Sequence, residues 1–325
     1  MKQPDNRSAA HASIDIGSNT LRLLVASPSA GKDSGQPWQK IVCDHFIVRL
    51  GEGLHHTGRL SDAGMDRAIT ALKSFKATID KHHVAAGHIF AVATAAVREA
   101  ENGLEFQQRA ADEVGIHINI IDGDTEAATS LMGAASVLHS QTREEMLLFD
   151  IGGGSTEFIR TNNGTIIDAI SRKLGVVRLV EAHLHSDPPS IEDFQAMKEA
   201  AHEHLAAVEA HWNRSGGNIP GCMVGTAGTV TTLAATEMNL IPYDAEMVNN
   251  HLISRTFFEK LRDRLLAMTH VQRQNIATIE TGRADLIIGG LAIIEAMMER
   301  WNYSALITVD AGLLEGNWLQ SYKSK

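Results

Sequence analysis

Two short segments of the chain place a carboxylate before a turn of small residues. Residues 15–20 read DIGSNT and residues 150–155 read DIGGGS, an internal match separated by 135 positions. Glycines at such a turn permit positive φ, so that consecutive backbone N–H groups can point together at an anion. Either segment alone is typical of a hairpin whose Asp bonds its own turn. Because each copy opens its own stretch of chain, the pair predicts two phosphate-binding turns.

A third glycine-rich segment, GTAGT at residues 225–229, follows an apolar strand pattern and leads into a helix pattern. A helix N-terminus offers unpaired N–H donors and the positive end of a dipole, which suits a phosphate. Simple N-capping by Thr229 is the competing interpretation. Neither GxGxxG nor GxxxxGK[ST] occurs at any of the three segments, which disfavours a dinucleotide-dependent dehydrogenase and a P-loop NTPase.

Two charged residues between the repeated segments could also act on a phosphate. Arg98 lies in ATAAVREA a few positions after a predicted strand, and it is either a bidentate phosphate ligand or a solvated arginine at a helix start. Glu126 lies in DGDTEA near the start of a predicted helix, where acidic residues are common because they complement the helix dipole. Neither Arg98 nor Glu126 indicates a function by itself, and each is interpreted together with the other motifs.

The elements that must position these residues repeat in order. An antiparallel hairpin around 13–26, a third strand at 40–49 and a helix capped by Ser61 precede a strand–helix–strand unit ending near residue 121. The second half begins again with a hairpin, the turn at 162–164 and a third strand. The helices predicted after that point lie at 176–184, 191–212, from 229, at 284–299 and from 312, with strands at 221–226 and 304–310. This order predicts an α/β protein built from a duplicated domain with a mixed sheet.

Composition limits the classes of partner. A length of 325 residues favours two domains at ~100–200 residues each. The formal charge of −10 repels nucleic acid and anionic membrane surfaces, so we expect neither as a partner. Cys43 and Cys222 form no disulfide framework or zinc motif, and the longest nearly apolar run, 286–298, is shorter than the ~20 residues that cross a bilayer. We therefore expect a soluble cytoplasmic protein.

Five segments in this order, DIGSNT, ATAAVREA, DGDTEA, DIGGGSTE and GTAGT, resemble the exopolyphosphatase/guanosine pentaphosphate phosphohydrolase (Ppx/GppA) family. That family belongs to the superfamily of actin, Hsp70 and the sugar kinases, and the resemblance covers residues 13–316. It implies an α/β fold of two actin-like (ribonuclease H-like) domains, each with a mixed sheet, and a cleft between them. The implied first domain is 1–123 plus the C-terminal helix 310–325, and the second is 124–309.

The resemblance also assigns roles by position in this sequence. Glu126 matches the general base, with Arg98 beside it in the catalytic set, while Asp150 and Glu157 match magnesium-associated carboxylates that Asp15 would join. The residues expected to hold phosphates are Gly17, Ser18, Asn19, Thr20, Gly152, Gly153, Gly154, Ser155, Thr156, Gly225, Gly228 and Thr229. The implied cofactor is Mg²⁺.

The implied activity is a magnesium-dependent exopolyphosphatase that releases orthophosphate from the end of inorganic polyphosphate. Hydrolysis of guanosine pentaphosphate (pppGpp) to ppGpp is the alternative, and a superfamily kinase is a more remote one. The chain matches the short, two-domain form, and a homodimer is one candidate assembly. A basic cluster at Arg172, Lys173 and Arg178 is either a track for a polyanion or a solvated face. If both turns hold one ligand, binding should favour closure of the cleft.

Overall fold

The computed structural model describes residues 10–29, 37–214 and 218–323. The outermost residues of the expected first domain, 1–9 and 324–325, lie outside this part of the chain. No helix within the described part is both long and apolar enough to span a membrane.

A five-stranded sheet forms the first half of the molecule. Its strands are β1 (His11–Ile16), β2 (Thr20–Pro28), β3 (Trp38–Ile47), β4 (Ile89–Ala93) and β5 (Ile118–Ile120). Their spatial order is β3-β2-β1-β4-β5. Strand β2 pairs antiparallel with both β1 and β3, whereas β4 pairs parallel with both β1 and β5. We call this sheet and the helices packed on it the first lobe.

A six-stranded sheet forms the second half. Its strands are β6 (Glu145–Ile151), β7 (Thr156–Asn162), β8 (Thr165–Arg172), β9 (Met223–Thr226), β10 (Leu252–Ser254) and β11 (Ala305–Thr308). Their order is β8-β7-β6-β9-β11-β10, with antiparallel pairs along β6-β7-β8 and parallel pairs along β6-β9-β11. Apart from the extra edge strand β10, this second lobe repeats the topology of the first. The expected α/β fold of two similar halves, each with a mixed sheet, is confirmed.

Fourteen α-helices of the described chain pack around the two sheets. They are α1 (Leu54–Thr57), α2 (Asp62–Lys81), α3 (Ala95–Glu99), α4 (Gly103–Val114), α5 (Gly123–Val137), α6 (Ser140–Glu144), α7 (Val176–His183), α8 (Ile191–Arg214), α9 (Ala227–Met238), α10 (Ala245–Val248), α11 (Arg255–Leu266), α12 (His270–Gln274), α13 (Leu286–Trp301) and α14 (Leu313–Lys323). Two 3₁₀ turns lie at Ala86–His88 and Thr281–Arg283.

Helix α2 shows how the sequence signals act locally. The Ser61 hydroxyl accepts a hydrogen bond from the Gly64 N–H, which satisfies one of the donors left unpaired at the start of the helix. Residues at helical spacing, among them Leu72, Phe75 and Ile79, are buried against the first sheet. The capped amphipathic helix predicted from the sequence is confirmed.

Helices α5 and α14 cross at very close range. A Cβ added to Gly133 of α5 would overlap the carbonyl oxygen of Gly312, and one added to Gly316 of α14 would overlap the carbonyl oxygen of Thr129. Helix α14 also packs against β1 and β2 of the first sheet, while α5 packs against β7 and β8 of the second. The two helices therefore form the central connection between the lobes.

Besides the short helices α1 and α6, which were not predicted, the structure departs from the sequence-based elements in two further places. The sequence predicted a helix starting at Thr229, but α9 begins at Ala227, because Thr226 ends β9 and acts as the N-cap residue. No element was predicted between α9 and α13, where the structure contains α10, β10, α11 and α12. Two of these are helices of four and five residues and one is a strand of three, too short for a periodic pattern to reveal. The division at 124–309 stays a prediction.

Candidate active site

The two repeated turns have the same construction. The Gly17 N–H donates to the Thr20 carbonyl at 3.1 Å, and the Gly152 N–H donates to the Ser155 carbonyl at 2.9 Å. The expectation of positive φ in these turns was wrong, because no glycine of either turn has φ in the left-handed region. Glycine is needed for space instead, since an added Cβ at either position would lie 3.1 Å from the carbonyl oxygen that its own N–H binds.

The turns come from opposite lobes and touch each other. A Cβ added to Gly153 would lie 3.0 Å from the Ser18 Cβ, and one added to Gly154 would lie 2.7 Å from the Ser18 Oγ. Gly175 in turn packs its Cα directly on the backbone of Gly153 and Gly154. Small residues therefore let the two carboxylate-bearing strand ends, at Asp15 and Asp150, approach across the cleft.

Strand register places a second charged residue opposite each aspartate. Asp150 of β6 pairs with Glu157 of β7, and Asp15 of β1 pairs with Arg22 of β2. The repeat thus replaces a carboxylate in the second lobe with a guanidinium in the first. Sequence reasoning missed Arg22, although applying the 135-residue offset to Glu157 would have identified it.

Arg22 joins the aspartate of its own hairpin to two acidic residues near the C-terminal helix. Its guanidinium lies 3.9 Å from the carboxylates of Asp310 and Glu315. The charge of Arg22 also lowers the pKa of Asp15, opposing the larger effect of burial. The first-lobe side of the site is therefore a mixed cluster of both charges.

Glu126 reaches the site from the first turn of α5. The Asp122 carboxylate caps this helix by accepting from the Thr125 N–H at 2.8 Å. The Glu126 residue is only 6% exposed, and its Oε2 accepts a hydrogen bond from the Arg98 Nη1 at 2.8 Å. The same nitrogen donates to the Ile121 carbonyl at 2.8 Å, which fixes the guanidinium. The structure thus brings the two predicted catalytic residues into direct contact.

The carboxylates of the site influence each other. Burial raises the pKa of Glu126 to about 7, against the opposing effect of Arg98 and with a further increase from Asp150. Burial likewise raises the pKa of Asp15 to about 7, with repulsion from Asp150 and Glu126 adding to it. The pKa values of Asp150 and Glu157 are also raised, chiefly by burial. The four predicted acidic residues therefore lie within electrostatic range of one another.

Two serines hold the second-lobe carboxylates in place. The Ser130 Oγ donates to the Asp150 Oδ2 at 3.0 Å, and the Ser171 Oγ donates to the Glu157 Oε1 at 2.7 Å. Sequence reasoning missed both. Ser130 follows Glu126 by four positions and so lies on the same face of α5, a spacing that could have indicated it.

Three of the hydroxyls predicted to bind phosphate, those of Thr20, Ser155 and Thr156, have internal partners in this structure. The Thr156 hydroxyl donates to the Leu174 carbonyl, and Ser155 hydrogen-bonds to Glu157. The Asn19 Nδ2 donates to the Thr20 Oγ1 at 3.4 Å, whereas the buried Asn19 Oδ1 has no hydrogen-bond partner within the described chain.

The third glycine segment borders the site through β9, where Thr226 pairs with Asp150. Gly225 faces the ring of Phe149 without room for a Cβ, and the Thr229 side chain packs on Gly290 of α13. Gly228 lies directly beneath the guanidinium of Arg283, a residue that sequence reasoning did not identify. Packing therefore accounts for Gly225 and for the Thr229 side chain, and a basic group beside this helix N-terminus is Arg283, whose Nε donates to the Glu280 Oε2 at 2.6 Å.

The donor set suits a magnesium ion, although it does not form a ready-made cage. Within the described ranges, no three His, Cys, Asp or Glu side chains converge closely enough to hold a metal. Magnesium is usually held by one or two carboxylates together with waters and substrate phosphates. Asp15, Asp150 and Glu157 supply hard oxygen donors, and the unpartnered Asn19 Oδ1 supplies another. A cation would also relieve the repulsion that raises the carboxylate pKa values.

Comparison with known proteins agrees with this geometry. Exopolyphosphatase 2 of Mycobacterium tuberculosis is 32% identical over 314 residues, which cover 94% of this chain and 96% of the relative. The crystal structure of an exopolyphosphatase from Cytophaga hutchinsonii matches with a TM-score of 0.86 and 30% identity, covering 97% of this chain and 99% of the other. The crystal structure of the Aquifex aeolicus member of the Ppx/GppA family matches with a TM-score of 0.77 and 31% identity, covering 97% of both chains.

A model of the Ppx/GppA phosphatase family matches residues 25–325, nearly the whole chain. That match begins inside β2 and includes Arg98, Glu126, Asp150 and Glu157. The family's description, the relatives that span the full length and the carboxylate site between the lobes all lead to one assignment. The chain belongs to the Ppx/GppA phosphatase family.

Proposed function

We propose that this protein is a magnesium-dependent exopolyphosphatase that hydrolyses the terminal phosphoanhydride bond of inorganic polyphosphate, with Glu126 as general base. The observation that carries the proposal is the Glu126 carboxylate itself. It lies between the lobes and is held by Arg98, and burial raises its pKa to about 7. A general base works best when its pKa lies near the operating pH.

The reaction requires a water to attack the terminal phosphorus as the bond to the next phosphate breaks. Glu126 accepts the proton of this water, and the departing phosphate chain is stable enough to leave without a general acid. Arg98 occupies one carboxylate oxygen of Glu126, leaving Oε1 as the oxygen available to the water. With a pKa of about 7, Glu126 then returns its proton readily to solvent.

The carboxylates of the site are the residues that would bind the magnesium ion. Asp150 and Glu157, with Asp15 opposite them, would hold Mg²⁺, which supplies neutralisation of the phosphate charge when bound. The Ser130 hydroxyl donates to one oxygen of Asp150, and the Ser171 hydroxyl donates to one oxygen of Glu157. These hydrogen bonds fix the orientation of both carboxylates. Around them, the backbone of the two turns and the guanidinium groups of Arg22 and Arg98 meet the anionic substrate.

Inorganic polyphosphate is favoured as substrate by the relatives, since two full-length matches carry the name exopolyphosphatase. The guanosine nucleotide pppGpp is the alternative substrate of the same chemistry. Hydrolysis of either substrate needs only water as the phosphate acceptor, whereas a kinase reaction needs a second substrate as acceptor.

The test is incubation of the pure protein with Mg²⁺ and, in separate reactions, polyphosphate, pppGpp, or ATP with candidate hydroxyl acceptors. We expect orthophosphate release from polyphosphate without an acceptor, and its loss in excess EDTA. Release from pppGpp alone would replace polyphosphate by the nucleotide. Phosphate transfer that requires an acceptor would reject the hydrolase, and activity that persists in EDTA would reject the metal.

A further inference from the structure

A basic cluster borders the glycine turn of the second lobe. It consists of Arg172 and Lys173 at the end of β8 and Arg178 on α7. The Arg178 Nε donates to the Gly154 carbonyl at 2.8 Å, which fixes the guanidinium against the turn. Arg172 pairs with Thr156 across the strands, and its buried Nε has no hydrogen-bond partner among the described residues. The cluster is thus continuous with the proposed site.

A carboxylate from the other lobe occupies this cluster. A single oxygen, the Glu99 Oε2, lies 2.6 Å from the Arg178 Nη2 and 3.1 Å from the Lys173 Nζ. Glu99 directly follows the catalytic Arg98 on α3, so this contact spans the cleft beside the reaction centre. Two cationic side chains thus share one carboxylate oxygen, and cationic side chains bind a phosphate oxygen in the same way.

We propose that Arg172, Lys173 and Arg178 form a second anion subsite, which binds the inner phosphates of a polyphosphate chain, and that Glu99 occupies this subsite until the chain displaces it. This inference rests on the proposed function. The second anion subsite would make the protein bind long polyphosphate chains more tightly than short ones.

Exposure and charge support this assignment. Lys173 is 69% exposed and is therefore accessible to a chain arriving from solvent, whereas Arg178 and Glu99 are mostly buried. The whole molecule carries a formal charge of −10, so a long polyanion can approach only along a local basic surface. Helix α8 packs against β8, and burial together with the charges of Arg172 and Arg178 lowers the pKa of its His204.

The position also fits the direction of a bound chain. A narrow crevice with room for about one water molecule lies between the lobes next to the cluster, and its lining includes Ser18, Gly153, Gly154 and Arg178. Because residues of both turns and Arg178 line this one crevice, a polyphosphate chain held at the turns would meet Arg178 next. The bound polyphosphate would thus extend out of the site through the position that the Glu99 carboxylate now occupies.

The experiment is equilibrium binding of fluorescently labelled long-chain polyphosphate in EDTA, so that no turnover occurs, with tripolyphosphate and pppGpp as competitors. We expect Lys173→Gln to weaken long-chain binding about fivefold, the effect of losing one partly exposed charge pair. Tripolyphosphate affinity should change little. Lys260→Gln, an exposed lysine of α11, is the matched control and should leave binding unchanged.

Glu99→Gln separates displacement from a merely structural contact. If the chain must displace the carboxylate, its removal should tighten long-chain binding about fivefold, with Glu192→Gln as the charge-matched control. Weaker binding in Glu99→Gln, or equal effects of Lys173→Gln on long and short chains, would overturn the subsite, and so would an effect confined to pppGpp. Failure of the proposed function would appear differently, as absence of phosphate release by the unaltered protein with Mg²⁺.

Discussion

Asp15 shows what burial of a carboxylate does at the level of a single residue. Desolvation raises its pKa from 3.8 to about 7, and Arg22 only partly opposes this effect. The folded protein therefore binds the Asp15 proton more tightly than the unfolded chain does. Stability from this group is fully present below a pH of about 4 and is lost as the pH rises towards 7. In the absence of metal, the acidic site destabilises the fold at neutral pH.

We therefore expect Asp15→Asn to be more stable than the unaltered protein at about pH 8, and to differ much less at about pH 5, when both are measured in EDTA. The amide keeps the shape of the side chain but cannot ionise. Urea unfolding at the two pH values measures the difference, with the exposed Asp124→Asn as control. Stability curves for Asp15→Asn and the unaltered protein that run parallel across this range would contradict the raised pKa.

The family resemblance of the sequence segments predicted Glu126, Arg98, Asp150 and Glu157, and the structure places these side chains in one cluster. Their function is indicated by motif segments that can be read without coordinates. Arg22 and the two serines were missed because each acts through a cross-strand or helix-to-strand contact, which depends on register. Thr156 was expected to face phosphate but bonds to the Leu174 carbonyl, a partner that only the fold reveals.

At the level of elements, the crossing of α5 and α14 determines where Glu126 lies. Gly133 and Gly316 permit backbone contact between the two helices, and Glu126 lies two turns before Gly133 on the same helix. A shift of α5 would move Glu126 away from Arg98 and Ser130 away from Asp150. The small residues of this crossing therefore support the chemistry at a distance.

We expect Gly133→Ala to lower the free energy of unfolding by about 2–3 kcal/mol, because the new Cβ overlaps the Gly312 carbonyl and this clash exceeds the gain of about 1 kcal/mol in helix propensity. Denaturant unfolding measures the loss, and phosphate release should fall with it. Gly87→Ala, where nothing lies within 4 Å of the new Cβ, is the control. An unchanged or increased stability of Gly133→Ala would show that the helices separate easily.

The sequence predicted the duplicated strand order well, since alternating hydrophobicity and turn residues specify hairpins locally. The reason for glycine in the turns was predicted incorrectly. Positive φ was expected, whereas the glycines provide space, at Gly17 and Gly152 for a carbonyl of the same turn and at Gly153 and Gly154 for Ser18 of the other lobe. The contact between Ser18 and the second turn joins residues far apart in the sequence, so local sequence patterns do not predict it.

At the level of the whole molecule, polar contacts away from the two turns hold the lobes together. Arg49 of the first lobe binds both carboxylate oxygens of Asp285, at 2.9 and 3.0 Å. The Gly53 N–H donates to the Glu181 Oε1 at 2.9 Å, and His45 pairs with Glu280. With the turns in contact as well, the structure represents a closed cleft.

We expect Arg49→Ala to shift the molecule towards an open cleft by about fivefold in population, since a partly exposed bidentate pair contributes about 1 kcal/mol. Small-angle scattering should show a larger radius of gyration, which polyphosphate with Mg²⁺ should reverse if the substrate binds both turns. Arg59→Ala, which removes an exposed pair within the first lobe, is the control. Equal radii for Arg49→Ala and Arg59→Ala would mean that the cleft is rigid.

The most direct measurement is the rate of phosphate release from polyphosphate by Glu126→Gln at saturating substrate and Mg²⁺, compared with Asp124→Asn on the same first turn of α5. The amide keeps the hydrogen-bonding shape at the Arg98 side but cannot accept the proton of water. We predict a kcat lower by about 100-fold or more, with polyphosphate affinity retained and Asp124→Asn unaffected. Turnover by Glu126→Gln close to that of the unaltered protein would contradict the assignment of Glu126 as the general base.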